Sequence, residues 1–225
     1  MKNRADYAYA VGRVRALETR LISPEVFRNI IEADALTGAL NVLSEVAHEE
    51  EIKKIRNSQD LELFLNERAR RSRKIVAQLL DDEPLCSALF SLPENLDAAE
   101  VKINKLKFEF LGNLLRHTAK LKELSDSLRL NLKDRIANFF PTDYGRVARL
   151  SSEANQKQRE DSCLFFEKLK VGFMADFLAG AKYITFGPEP IISYYFAKLN
   201  EIRLLRWVIL GKINQIPNKL LLALT

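Results

Sequence analysis

The sequence predicts an all-α fold, and three observations carry that prediction. Leu, Ala, Glu, Lys and Arg dominate, and these are strong helix formers. Apolar residues recur at spacings of three and four along most of the length, whereas β-branched alternation is scarce. Glycine is rare, at 8 in 225 residues, and the prolines fall where one helical pattern stops and another starts. Hydrophobic residues make up 47% and charged residues 29%, a globular balance with ample length for a buried core.

The first helix is expected from Asp6 to Leu21, with Val11, Val14, Leu17 and Leu21 as its apolar stripe. Ser23-Pro24-Glu25 is a strong helix start: serine as N-cap, proline at the first position, an acid near the positive end of the dipole. Phe27, Ile30 and Ile31 form its buried face. Asp34 is placed to open a helix through Leu36, Leu40 and Leu43, and a charged amphipathic segment follows from His48 to Ile55. Ser58 or Asp60 then starts a longer helix carrying Leu61, Phe64, Leu65, Ile75, Val76, Leu79 and Leu80. Within it lies the densest basic cluster of the chain, Arg68-Ala69-Arg70-Arg71-Ser72-Arg73-Lys74. Such a run suits either a nucleic-acid backbone or a solvated turn balanced by Glu62 and Glu67. No aromatic is interleaved to stack on bases.

Asp81-Asp82-Glu83-Pro84 and Ser91-Leu92-Pro93-Glu94-Asn95 bracket one short helix. From Asp97 to about Phe139 one long helix, or two in a hairpin, keeps its period through a slip around Arg116 to Lys120. Phe140-Pro141-Thr142-Asp143-Tyr144-Gly145 breaks it, and Ser151 to Asp161 is a polar loop or weak helix. The last part starts near Ser162, turns at Phe186-Gly187-Pro188-Glu189-Pro190, and continues along Ile191, Tyr195, Leu199, Ile202, Leu205 and Ile209. Gly211 is placed to cap that helix, and Pro217 to start a terminal one reaching Leu224. The expected organisation is an N-terminal helical unit at 1–93, central long helices and a loop at 94–161, and a C-terminal helical unit at 162–225.

No apolar run approaches the length needed to span a bilayer, and the N-terminus has no secretory core, so any membrane association is expected to run through a partner. Cys86 and Cys163 form no C-x-x-C pair and are expected as two buried thiols. His48 and His117, the only histidines, have no neighbouring ligands, and no metal or other cofactor is expected. The formal charge of +5 is modest, with both signs interspersed. Phosphate-binding loops, dinucleotide fingerprints, nucleophile elbows and zinc-protease motifs are all missing from the sequence, so no catalytic residue is named.

Two stretches carry a family resemblance. One runs Ala181-Lys182-Tyr183-Ile184-Thr185-Phe186-Gly187-Pro188-Glu189-Pro190-Ile191-Ile192, then Ala197-Lys198, Glu201-Ile202-Arg203, Gly211-Lys212 and Pro217. The other runs Tyr9-Ala10, Arg13 to Glu18, and Leu21-Ile22-Ser23-Pro24-Glu25. Both resemble the C-type component of V-type/A-type ATPases, the family whose eukaryotic member is the d-type component. The resemblance implies repeated helical units in a funnel-like arrangement, here shortened by about one unit. It implies a non-catalytic central-stalk rotor subunit, cytoplasmic and peripheral to the membrane. Its implied partners are the central axle subunits of D/F type and the membrane proteolipid ring, in rotary proton or sodium transport. In the matching stretches, Arg13, Arg20, Arg203, Arg206 and Lys212 are the candidate partner-binding residues. The competing structural reading pairs these cations with Glu18 and Glu201 at helical spacing and puts Tyr194 and Tyr195 in the core. Two other functions stay open on the residues: a helical nucleic-acid-binding protein using residues 68–74, or a helical scaffold that has lost the rotor role.

Overall fold

The computed structural model describes residues 3–47, 50–156 and 162–222, all helices and connecting turns with no strand among them. In chain order the α-helices are α1 (Ala8–Glu18), α2 (Pro24–Glu32), α3 (Leu36–Ala47), α4 (Ser58–Leu80), α5 (Glu83–Ser91) and α6 (Leu96–Leu106). Then come α7 (Glu109–Arg129), α8 (Lys133–Ala137), α9 (Gly145–Gln156), α10 (Ser162–Ala179), α11 (Glu189–Ile213) and α12 (Asn218–Leu222). Short 3-10 turns precede α1 at Arg4–Tyr7, follow α3 at Glu50–Lys54 and follow α10 at Gly180–Tyr183. The chain forms two compact units. Asn3–Leu80 and Ile184–Thr225 make the terminal unit, and Asp81–Tyr183 make the middle unit.

In the terminal unit α11 is the central helix. It packs against α1, α2, α3, α4 and α12. Its apolar residues are not confined to one stripe: Ile191, Ile192, Tyr194, Tyr195, Ile202, Leu205, Val208 and Ile209 are all buried. A helix apolar nearly all round must be covered on several sides. The long apolar face predicted from Pro190 onward is present, but it is only part of the buried surface.

Local chemistry sets most helix starts. The Ser23 hydroxyl accepts from the Val26 N–H at 3.3 Å, with Pro24 in the first turn of α2. Asp82 accepts from the Leu85 N–H at 3.0 Å to open α5, and Asn95 from the Ala98 N–H at 3.0 Å to open α6.

Several ends differ from expectation. The first helix stops at Glu18 rather than Leu21, because the Thr19 hydroxyl donates to the Ala16 carbonyl and the Arg20 and Leu21 amides bond three residues back. The long helix expected from Asp97 to Phe139 is three helices. Its breaks fall at Lys107 and Asn131, both at φ 52° in the left-handed region, and α7 runs straight through Arg116–Lys120. Gly211 caps nothing. α11 continues to Ile213, and it is Gln215 that takes positive φ, at 55°. Gly211 is instead where α12 seats: a Cβ there would lie 2.4 Å from a Leu221 methyl. The terminal helix begins at Asn218, and residues beyond 222 lie outside the described residues, as do His48, Glu49 and 157–161. Of the cysteines, Cys86 is buried, and burial pushes its thiol pKa up, but Cys163 is exposed. Its place near the start of α10, outside that helix's buried residues, leaves it uncovered.

The middle unit packs α7, α8, α9 and α10 around Leu121, Leu124, Leu128, Ile136, Phe139, Tyr144, Val147, Ala148 and Phe166. α5 pairs with α6, which packs on α7. Among the described residues no helix is long and apolar enough to cross a membrane.

Candidate functional site

The charged groups of the terminal unit fall into two sets. One set ties helices together from within; the other stands on the surface. Both arise from α1, α4 and α11.

Glu201 is the centre of the first set. It sits on α11 with 3% of its surface exposed. Oε2 accepts the Ile22 N–H at 3.0 Å, while Oε1 accepts Arg68 at 3.0 Å and Lys198 at 2.6 Å. One carboxylate therefore joins α11, α4 and the turn between α1 and α2. A charge so deeply buried persists only when paired and hydrogen-bonded, and Glu201 is both. Tyr194 lies close by. Burial pushes its phenol pKa up and Glu201 adds to this, while Arg68 and Arg20 oppose it.

Helical spacing alone pairs Glu201 with a cation of its own helix turn. It does bind Lys198, but its long-range partner is Arg68, from the basic run on α4. That run is consequently not one surface. Arg68 and Ser72 are buried, Arg70 and Arg71 share Glu67, and Glu62 serves Arg206. The role of Arg68 had a sequence signal: it is in register with Leu61, Leu65, Ser72 and Val76, the buried stripe of α4.

The five residues singled out in the sequence are not brought into one site. Arg206 forms a two-pronged pair with Glu62 of α4, at 2.7 and 3.0 Å. Lys212 donates to the Ile31 and Ala33 carbonyls at the end of α2, and to Asn218 Oδ1 at 2.9 Å. It thus satisfies carbonyls that a helix end leaves open and holds the start of α12. Burial pulls its pKa down, and Asp34 opposes that shift. Arg203 is half-buried and donates to Asn200 at 2.8 Å.

Arg13 and Arg20 belong to the second set. Ala10, Val11 and Val14 turn inward, so Tyr9, Arg13 and Ala16 share the outer face of α1, and Arg20 is exposed in the turn that follows it. Tyr9 is 79% exposed. Glu18, expected as a partner for these cations, is taken by Arg15 at 2.8 Å. Arg13 and Arg20 form no ion pair among the described residues.

Nor do any three His, Cys, Asp or Glu side chains among the described residues group to hold a metal ion. The fold and these charges define a class: an all-helical protein whose ionic groups either cross-link helices or face outward. The family model described as ATP synthase (C/AC39) subunit matches residues 114–223, about half the chain. The chain belongs to this family, which makes it a V/A-type ATPase subunit. The match takes in Arg203, Arg206 and Lys212, and begins well after the resembling N-terminal stretch with Arg13 and Arg20. No curated protein and no solved structure matches the chain.

Proposed function

We propose that the chain is a non-catalytic central-stalk rotor subunit, joining the axle subunits of D/F type to the membrane proteolipid ring in rotary proton or sodium transport. The family match over residues 114–223 is the observation that carries this reading. The terminal unit suits torque transmission. Its central helix is gripped on several sides, and Glu201, Arg206 and Lys212 tie it to α2, α4 and the turn after α1. Membrane association runs through the partners, on the cytoplasmic side. The enclosing funnel, shortened by about one unit, belongs to the same proposal.

Of the five candidate residues, Arg13 and Arg20 are the ones we assign to partner contact, since Arg206 and Lys212 are engaged within the terminal unit. The double variant Arg13→Glu/Arg20→Glu tests the assignment. Binding to the axle or to the ring is expected to weaken at least tenfold, with wild-type binding falling as salt rises. Stability is expected to stay within about 0.5 kcal/mol, as for surface substitutions generally. Unchanged affinity for both partners removes Arg13 and Arg20 from the contact.

A further inference from the structure

His117 of α7 stands in the middle unit against an aromatic wall. Its ring centroid is 4.6 Å from that of Phe177, 5.3 Å from Phe173 and 5.9 Å from Tyr144. Phe173 and Phe177 come from α10, and Tyr144 from the turn that opens α9. Nδ1 of His117 lies 2.9 Å from the Tyr144 hydroxyl, joining α7 to that turn. Tyr144 is itself 7% exposed and packs on Phe139 and Phe173. This is the only polar link that the imidazole makes within hydrogen-bond distance among the described residues.

We propose that the His117–Tyr144 pair is a pH-sensitive latch, which holds residues 139–148 onto α7 and α10 while the imidazole is neutral and releases them when it is protonated. It stands independently of the rotor reading.

The chemistry follows from the donor count. A neutral imidazole carrying its proton on Nε2 accepts the Tyr144 O–H at Nδ1. Protonation turns Nδ1 into a donor. The phenol must then accept, and its own hydrogen has to turn away from His117; Phe139 and Phe173 pack on the phenol ring, and burial outweighs the nearby Asp143 and Arg116 charges in its surroundings. A buried hydroxyl left without an acceptor is costly.

The neighbouring charges do little to rescue the cation. On α7, Arg116 repels it, and Lys120 lies over the Phe139 ring at 5.9 Å. From the turn before α9, Asp143 attracts it. On α10, Lys170 is held by Glu167 at 2.5 Å and Asp176 is exposed, so that helix offers His117 its two phenylalanines. Burial is the largest influence and pulls the pKa below the ordinary 6.5; Arg116 reinforces it and Asp143 opposes it. With the folded value below the unfolded one, the unfolded chain takes up the proton first as pH falls through 6.5. The contribution of His117 to stability is therefore complete above that pH and declines below it.

The test uses the full chain with isotope-labelled histidine. There are two histidines, so His48→Asn assigns the His117 resonances without touching the latch. Nitrogen shifts report the tautomer, and their titration reports the pKa. In parallel, amide exchange over 139–148 is compared at pH 7.5 and 5.5, corrected for intrinsic rates. The latch predicts an unprotonated Nδ1 at neutral pH and a midpoint below 6.5. It also predicts exchange that rises several-fold on acidification. In His117→Gln, whose amide still accepts from Tyr144, that rise disappears; in Tyr144→Phe exchange is fast at both pH values. A His117 midpoint at or above 6.5, or an acid-induced rise that persists in His117→Gln, overturns the proposal.

Discussion

Glu201→Ala will lower the stability of the terminal unit by about 3–5 kcal/mol, the range seen when one partner of a buried ion pair is removed. The Arg68 side chain is 9% exposed and Lys198 13%, so neither cation recovers its hydration when the carboxylate is lost. The Ile22 N–H loses its acceptor as well. Glu201→Gln is expected to fall between wild type and alanine, because the amide oxygen can still accept from Ile22 but carries no charge. The paired replacement Arg68→Met/Glu201→Leu is expected to recover only part of the loss: it removes the buried Arg68 and Glu201 charges, while Lys198 and the Ile22 N–H still lack the carboxylate. Trp207, the one tryptophan, lies on α11, so its fluorescence in a urea titration reads the terminal unit. A loss below about 1 kcal/mol for Glu201→Ala would mean that Arg68 finds water or another anion, against the buried geometry.

Gly187→Ala is expected to cost about 2 kcal/mol, within the range for a residue forced into a sparsely populated backbone region. Gly187 holds φ at 131°, where an L side chain is strained whatever the space around it. Here the space is also occupied. An added Cβ would come 2.2 Å from Glu189 Oε2 and 2.8 Å from Arg4 Nη2. Those two groups form their own pair, Arg4 donating to Glu189 at 2.9 Å and to the Phe186 carbonyl at 2.9 Å. Glu189 is buried, so it cannot simply swing into solvent. The double variant Glu189→Ala/Gly187→Ala, compared with Glu189→Ala alone, separates the two causes, because it removes the nearer clash and leaves the exposed Arg4 side chain free to move aside. If backbone strain dominates, most of the loss remains after the carboxylate is gone. Full recovery would assign it to the side-chain clash.

How much of this was legible follows from where the controlling contacts lie. Ser23-Pro24-Glu25 and the bracketed α5 act through neighbours a few residues away, so their spelling predicts them; the turn at Phe186–Pro190 is spelled locally too, but its ties to Arg4 span 182 and 185 residues. The breaks at Lys107 and Asn131 carry no proline or glycine, and the helical period runs on past them; asparagine tolerates the left-handed region, but nothing in the spelling around Lys107 announces it. Gly211 shows the ambiguity of a single residue type. The missing side chain that suits a helix cap equally suits close approach, and here Leu221 uses it. The site was less readable still. Arg206 meets Glu62 across 144 residues and Lys212 meets the Ile31 carbonyl across 181, distances over which spacing says nothing. By contrast, the outward Arg13 follows from the inward stripe of α1, which the periodicity does show, whereas Arg20 is exposed in the turn beyond that helix.

Native mass spectrometry of the chain mixed with its cognate axle subunits, and separately with the detergent-solubilised proteolipid ring, tests the rotor assignment most directly. A one-to-one complex with the axle and one copy of the chain on each ring are expected. Association with neither would contradict it, and association with only one would leave a helical scaffold that has kept half of the coupling role.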